Sequence, residues 1–199
     1  MSSKGKAAIG PARIGGFLRE FRDANPGVET AISEGSAESL SRRLEAAELD
    51  LAIANPAAGF GDGFRSEPLY PERYVVVFAP GHPFSRKDAI RLADVHQAHY
   101  VDRLACEMRE TVMQVLGARE IELYAKFRSD REDWVQAMVL SGLGFAFMPE
   151  YSITASGLVS RPLIEPAVSR EVHAIEVRGR LRPPAASLFL KALTGFRWE

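Results

Sequence analysis

Apolar and polar positions along this chain change period repeatedly, from helical spacing to alternation and back. The first clear stretch follows Pro11, a residue favoured at the first position of a helix. Ile14, Phe17, Leu18 and Phe21 fall there at i, i+3, i+4 and i+7 and form one apolar face. Asn25-Pro26-Gly27 ends that helix. Val28, Thr30 and Ile32 then alternate, which predicts a strand. Ser36 is placed to cap a second helix with Leu40, Leu44 and Ala47 on its buried face. The short run Leu51-Ala52-Ile53-Ala54 has the pattern of a buried parallel strand. A glycine-rich loop, AGFGDGF, leads into two expected strands, Phe64 to Leu69 and Arg73 to Ala79.

Pro80-Gly81-His82-Pro83 interrupts the alternation, and a second set of elements follows. It holds a short helix at 92–95, a strand at 99–102, a helix from Cys106 to Leu116 and a strand from Ile121 to Arg128. Ser129-x-x-Glu132 has the form of a capping box opening a helix that carries Trp134, Ala137, Met138 and Leu140. Residues 144–148, GFAFM, are a buried strand, and Pro149 starts a short helix. Strands near 158–162 and 171–177 precede a last helix after Pro183-Pro184, with Leu188, Phe189, Ala192, Leu193 and Phe196 inward. Two α/β sets separated by a proline-rich break predict two lobes with a cleft between them. Ligands of open α/β sheets bind beyond the carboxyl ends of the strands, so the cleft is the expected site.

Composition narrows the chemistry. A net charge of −1 argues against a nucleic-acid surface spread over the chain. No apolar run approaches a membrane span and no signal peptide is legible, which points to the cytoplasm. The single cysteine, Cys106, excludes an internal disulfide. His96-x-x-His99 has no further ligands to complete a zinc set. Gly59-x-Gly61-x-Gly63 precedes a strand rather than a helix, so it is not a dinucleotide fingerprint. No cofactor and no metal is expected, and no catalytic residue is assigned.

Several stretches, in this order, resemble the effector-binding domain of LysR-type transcriptional regulators. They are IGPARIGGFLREFRDANPGVETAISEGSAESLSRRLEAAELDLAIA, EPLYPERYVVVFAPGHPFS, IRLADV, SDREDWVQAMVLSGLGFAFMPE and LVSRPLIEP. The resemblance implies a two-lobed α/β fold of the type 2 periplasmic-binding-protein kind, its lobes joined by two crossing strands. Lobe I would comprise residues 1–80 plus 168–199, and lobe II residues 81–167. It also implies a small-molecule effector bound between the lobes and a homodimer formed through these domains; the effector is expected to be anionic or polar. DNA would be bound by a separate N-terminal winged helix-turn-helix absent from this chain, which alone should not bind operator DNA. The chain is read as a sensor, not an enzyme. Rival readings are a single-cysteine redox sensor, a solute-binding protein of the same fold and a cysteine-dependent hydrolase.

Element ends supply the expected cleft contacts. Ala8 and Gly10 lie before the first helix, whose free amides favour an anion. Ala7 and Ala8 stand where relatives often place a hydroxyl residue. Asn55 follows a strand and is either a turn residue or a contact. Arg103 can clamp a carboxylate through its planar fork. Ser129 is a cap or a contact, Asp130 opens the same helix, and Phe147 lies near a strand end. Cys106 sits where the peroxide-sensing members of the resembled family keep a reactive thiol, but no second cysteine is present to resolve it. A packing thiol, a cleft contact and a single-thiol redox switch are its three possible roles.

Overall fold

Residues 9–198 of the chain are described by a computed structural model. Helix α1 (Pro11–Ala24) begins at its proline and buries Phe17 and Phe21. Their rings meet Phe189 edge-on at 5.1 and 4.8 Å, and each such burial is worth about 1.5–3 kcal/mol. The alternation at 28–32 does not become a strand. No ladder partner is present for it among the described residues, and Ile32 is 66% exposed. Helix α2 (Ala37–Glu45) is capped as its sequence predicts, Ser36 Oγ accepting from the Ser39 amide at 3.2 Å. Leu40 and Leu44 are buried, whereas Ala47 lies exposed beyond the helix end with φ 58°. Strand β1 (Ala52–Ala54) is buried at both ends, but its partner among the described residues, 173–175, is antiparallel.

The two strands expected at 64–69 and 73–79 are one, β2 (Phe64–Phe78). Pro68 and Pro71 signal a break, yet the backbone stays extended, and a register shift between Pro68 and Tyr70 absorbs the irregularity. A short β3 (Ile90–Arg91) precedes a 3₁₀ turn at 92–95, and β4 (His99–Arg103) follows. Helix α3 (Arg109–Gly117) starts three residues later than its pattern predicts. Next come β5 (Tyr124–Ser129), α4 (Glu132–Leu140), β6 (Ala146–Pro149), β7 (Val159–Ile164), β8 (Ser169–Val177) and α5 (Pro184–Gly195). The buried face of α4 is Val135, Gln136 and Val139, rotated from the expected one, so Trp134 is 54% exposed. In α5, Ala186, Leu190 and Leu193 are buried while Leu188 faces solvent.

Strand β2 organises the whole molecule by changing partners along its length. Up to Arg73 it pairs antiparallel with β8, from Phe64↔Val177 to Arg73↔Ser169. From Tyr74 onward it lies between β6 and β7. Strand β3 continues that second half beyond β7 in parallel, and β4 and β5 form a parallel pair. A parallel bridge between Tyr100 and Phe145 joins that pair to the start of β6. The cores divide the same way. Phe17, Phe21, Ala174, Leu190 and Leu193 form one cluster, and Leu40, Leu44, Ala52, Ala54 and Ile175 another. Residues 74–78 instead split their alternating side chains between two clusters built from the elements β3 to β7.

Candidate functional site

A cleft of about 370 Å³ lies where element ends from both halves converge. Ile9 and Pro11 come from the start of α1, and Glu34 from the loop before α2. Across from them stand Ala105, the α4 N-terminal residues Asp130 to Asp133, Gln136, Ser152 and Thr154. The two halves touch at one end of this space. A Cβ on Gly10 would fall on the Tyr151 carbonyl group, so only glycine permits that approach. Beside it, the Arg13 guanidinium lies 3.7 Å from the Tyr151 ring centroid and 4.8 Å from that of Tyr70, a cation–π contact bridging the halves.

The residues expected at the site are distributed unevenly around this space. Ala8 lies outside the described residues. Gly10 forms the α1 N-cap and the close contact just described. Asp130 lines the cleft and is exposed. Asn55 is buried, caps the 3₁₀ turn at 56–58 by accepting from the Ala57 amide at 3.1 Å, and points its Nδ2 at Met108 Sδ, 3.8 Å away. Phe147 packs with Tyr100 and Phe145 in the core. Ser129 Oγ accepts from the Arg131 amide at 3.0 Å. The expected reciprocal box with Glu132 does not form, because the Glu132 carboxylate turns to Arg103.

Arg103 is 2% exposed and its planar fork is filled. Its Nε and Nη2 donate to the two Glu132 oxygens at 2.7 and 2.8 Å, and Nη1 donates to the Phe147 carbonyl at 3.2 Å. This bidentate pair fixes the first turn of α4 to the end of β4. The neighbouring Arg109 makes a similar pair with buried Asp102, at 2.9 and 2.6 Å. Gln136, one turn further along α4, anchors the same wall. Its Nε2 donates to the Ser152 carbonyl at 3.0 Å, and its Oε1 accepts from the Thr154 and Ala155 amides at 2.8 Å each. The sequence does carry a signal for it, a lone amide at the helical spacing of Val135 and Val139.

A buried charged cluster that sequence reading missed joins β2, β8 and the loop before α3. Arg170 on β8 is the cross-strand partner of Glu72 on β2, and its Nε and Nη2 donate to Glu72 Oε2 at 2.9 and 2.6 Å. Arg170 Nη1 also pairs with Glu107 from the loop before α3. The other Glu72 oxygen accepts from the Tyr151 amide at 2.8 Å. Nothing local marks these residues as partners, because they are far apart in the chain.

Cys106 is buried, with Sγ 3.8 Å from the Tyr74 hydroxyl. It precedes α3 by three residues, so the helix terminus does not begin at the thiol. Burial pushes its pKa up; Arg103 pulls it down, and the Glu107 charge adds to the rise. A raised pKa leaves the thiol protonated near neutral pH, where the nucleophilic thiolate is scarce. Native protein is therefore expected to react with an aromatic disulfide reagent at pH 7.5 at least about a hundredfold more slowly than the same chain in denaturant. Rapid, stoichiometric labelling of the native fold would overturn this and make Cys106 a reactive thiol.

Comparison with known proteins gives one consistent picture. The family model described as the LysR substrate binding domain matches residues 7–197. The transcriptional dual regulator GltC of Bacillus subtilis is 22% identical over 185 residues, 90% of this chain and 61% of that protein. The chain thus spans about three fifths of that curated relative. Among solved structures, the C-terminal domain of a probable LysR family transcriptional regulator from Rhodococcus sp. RHA1 superimposes with TM-score 0.83 at 25% identity, covering 94% of this chain and 95% of that one. The regulatory domain of CcmR from Synechocystis PCC6803, in complex with 2-PG, gives TM-score 0.79 at 18% identity, covering 91% and 89%. The fold these matches establish is the two-lobed α/β, type 2 periplasmic-binding-protein-like fold.

Proposed function

The chain belongs to the LysR substrate binding domain family, and from that premise we propose that it is the effector-sensing part of a transcriptional regulator. A small polar molecule enters the cleft between the lobes and shifts their relative angle. The shift is passed through a homodimer to a DNA-binding segment of the regulator. The observation that carries this reading is the cleft itself, lined by element ends from both halves. The CcmR regulatory domain, a relative in fold, holds a small molecule, 2-PG, which supports the same use here.

We place the lobe boundary where β2 leaves β8 for β6 and β7, after Arg73, and where β8 begins, at Ser169. These two strands are then the hinge, and the Glu72–Arg170 pair sits on it. A ligand signals only by favouring one lobe arrangement over another. The dimer is proposed to bury exposed apolar side chains such as Trp134, Leu140 and Leu143. The working compartment is the cytoplasm, where a transcriptional regulator meets DNA. No helix among the described residues is long and apolar enough to cross a membrane.

A thermal-shift screen against small polar metabolites tests the reading. A ligand at 100 times its Kd adds about 2.7 kcal/mol of stability, enough to raise Tm by several degrees. Turnover of an activated ester that disappears in Cys106→Ser would sink the sensor reading, as would a cooperatively melting sample that responds to no compound.

A further inference from the structure

We infer that the effector accepted by this cleft carries a positive charge: a small organic amine or guanidine with at least one further hydrogen-bonding group. The inference rests on the cleft being the sensing site and names the class of molecule sensed. It keeps the polar half of the anionic-or-polar expectation and replaces the anion by a cation.

Among the described residues, four carboxylates line the cleft, Glu34, Asp130, Glu132 and Asp133, against one cation, Arg131. Arg131 is already committed, its Nε and Nη2 lying 3.1 and 2.5 Å from the two Asp133 oxygens. Glu132 gives both oxygens to Arg103. Asp130 contributes only a longer-range attraction to Arg131. Glu34 and Asp130 therefore face the cleft without an ion-pair partner among the described residues. Two uncompensated carboxylates at the mouth of a walled space focus a negative potential into it, which attracts a cation and repels an anion.

An independent observation indicates that the space is built for a ligand. Ser152 is 3% exposed, lines the same cleft, and its hydroxyl has no hydrogen-bond partner among the described residues. Buried hydroxyls are nearly always bonded. The backbone around this one is held by Gln136, through the Ser152 carbonyl and the Thr154 and Ala155 amides. The hydroxyl thus sits on a fixed wall of the cleft with no bond of its own among the described residues.

The helix termini pull the other way, but more weakly. The α4 terminus is already answered by Glu132 and Asp133 in its first turn. The α1 terminus has no side-chain cap and no acid in its first turn, and it offers about half a positive charge. Against two full carboxylates that is the smaller effect.

The test is calorimetric titration of the chain with 1,4-diaminobutane and agmatine, and with succinate as a size-matched dianion. The amines are expected to bind and the dianion not. Glu34→Gln and Asp130→Asn each replace an exposed side chain, so the variants should fold, and each should weaken amine binding by about tenfold. Added salt should weaken it further. Ser152→Ala should weaken whichever amine carries the second polar group. Amine binding indifferent to both carboxylate variants would place the site elsewhere and overturn the proposal. Succinate binding without amine binding would overturn the charge assignment while leaving the cleft-sensor reading intact. If neither class binds, the proposal falls, and the sensor reading then stands or falls by the metabolite screen.

Discussion

Replacing Arg170 by methionine is expected to cost about 3–5 kcal/mol of folding stability. The Arg170 side chain is 1% exposed, and those of Glu72 and Glu107 are 0% and 1% exposed. Removing the guanidinium leaves two carboxylates in a space that water does not reach. Their other bonds, from the Tyr151 amide to Glu72 at 2.8 Å and from the Tyr74 hydroxyl to Glu107 at 3.3 Å, supply no countercharge. Urea unfolding should show a much lower midpoint with an unchanged slope. The loss comes from stranded charge and not from lost packing volume, so it should be partly recovered when Glu72→Gln and Glu107→Gln are added. A single-variant loss below about 1 kcal/mol, or no recovery in the triple variant, would contradict this account. The cluster joins both crossing strands to the loop carrying Cys106, so under the proposed sensing mechanism the same substitution should also loosen the lobe angle.

That cluster shows where sequence reading runs out. Helix starts and caps were legible because their causes are local. Pro11 fixes a backbone angle at its own position, and Ser36 reaches an amide three residues away. The apolar runs of β1 and β6 were legible because burial on both faces leaves few polar positions. Glu72 and Arg170, by contrast, meet only because β2 and β8 pair in one register. Among 25 basic and 26 acidic residues no spacing singles them out. The Arg103–Glu132 pair was hidden for the same reason, and it diverted Glu132 from the capping role that its spacing suggested.

The errors in the fold have physical causes too. Proline weakens a strand by removing an amide donor. Two prolines in one segment therefore read as a break, whereas β2 passes through them with a single register shift. The alternation at 28–32 resembled a strand, but a strand needs a neighbour, and that is a property of the whole chain. In α4 the bulk of Trp134 outweighed the β-branched pair Val135 and Val139, which actually face the core. That Asp130, Glu132 and Asp133 stand together at one helix start was visible in the sequence. Their placement opposite Glu34 was not.

Gly144→Ala is expected to lower stability by roughly 2–4 kcal/mol. Gly144 has φ 151°, a conformation that side chains disfavour, and an added methyl would land on the His99 carbonyl. It would also lie 2.7 Å from the His99 carbonyl carbon and 3.1 Å from the Tyr100 nitrogen. These are backbone atoms, so no rotamer change can relieve the overlap. They belong to the junction where the Phe145 amide donates to His99 at 3.0 Å and the Val101 amide donates to Phe145 at 2.8 Å. This is the seam that joins the β4–β5 pair to the rest of the sheet, and β4 ends at Arg103, which holds α4 against the cleft. Gly142 provides the control. It too has positive φ, 78°, but an added Cβ meets nothing within 4 Å. Gly142→Ala should therefore show the conformational cost alone, about 1 kcal/mol, and the excess at Gly144 measures the seam. Equal losses in the two variants, read from urea midpoints, would show that strand β4 can move away and that the seam is not a fixed element of the fold.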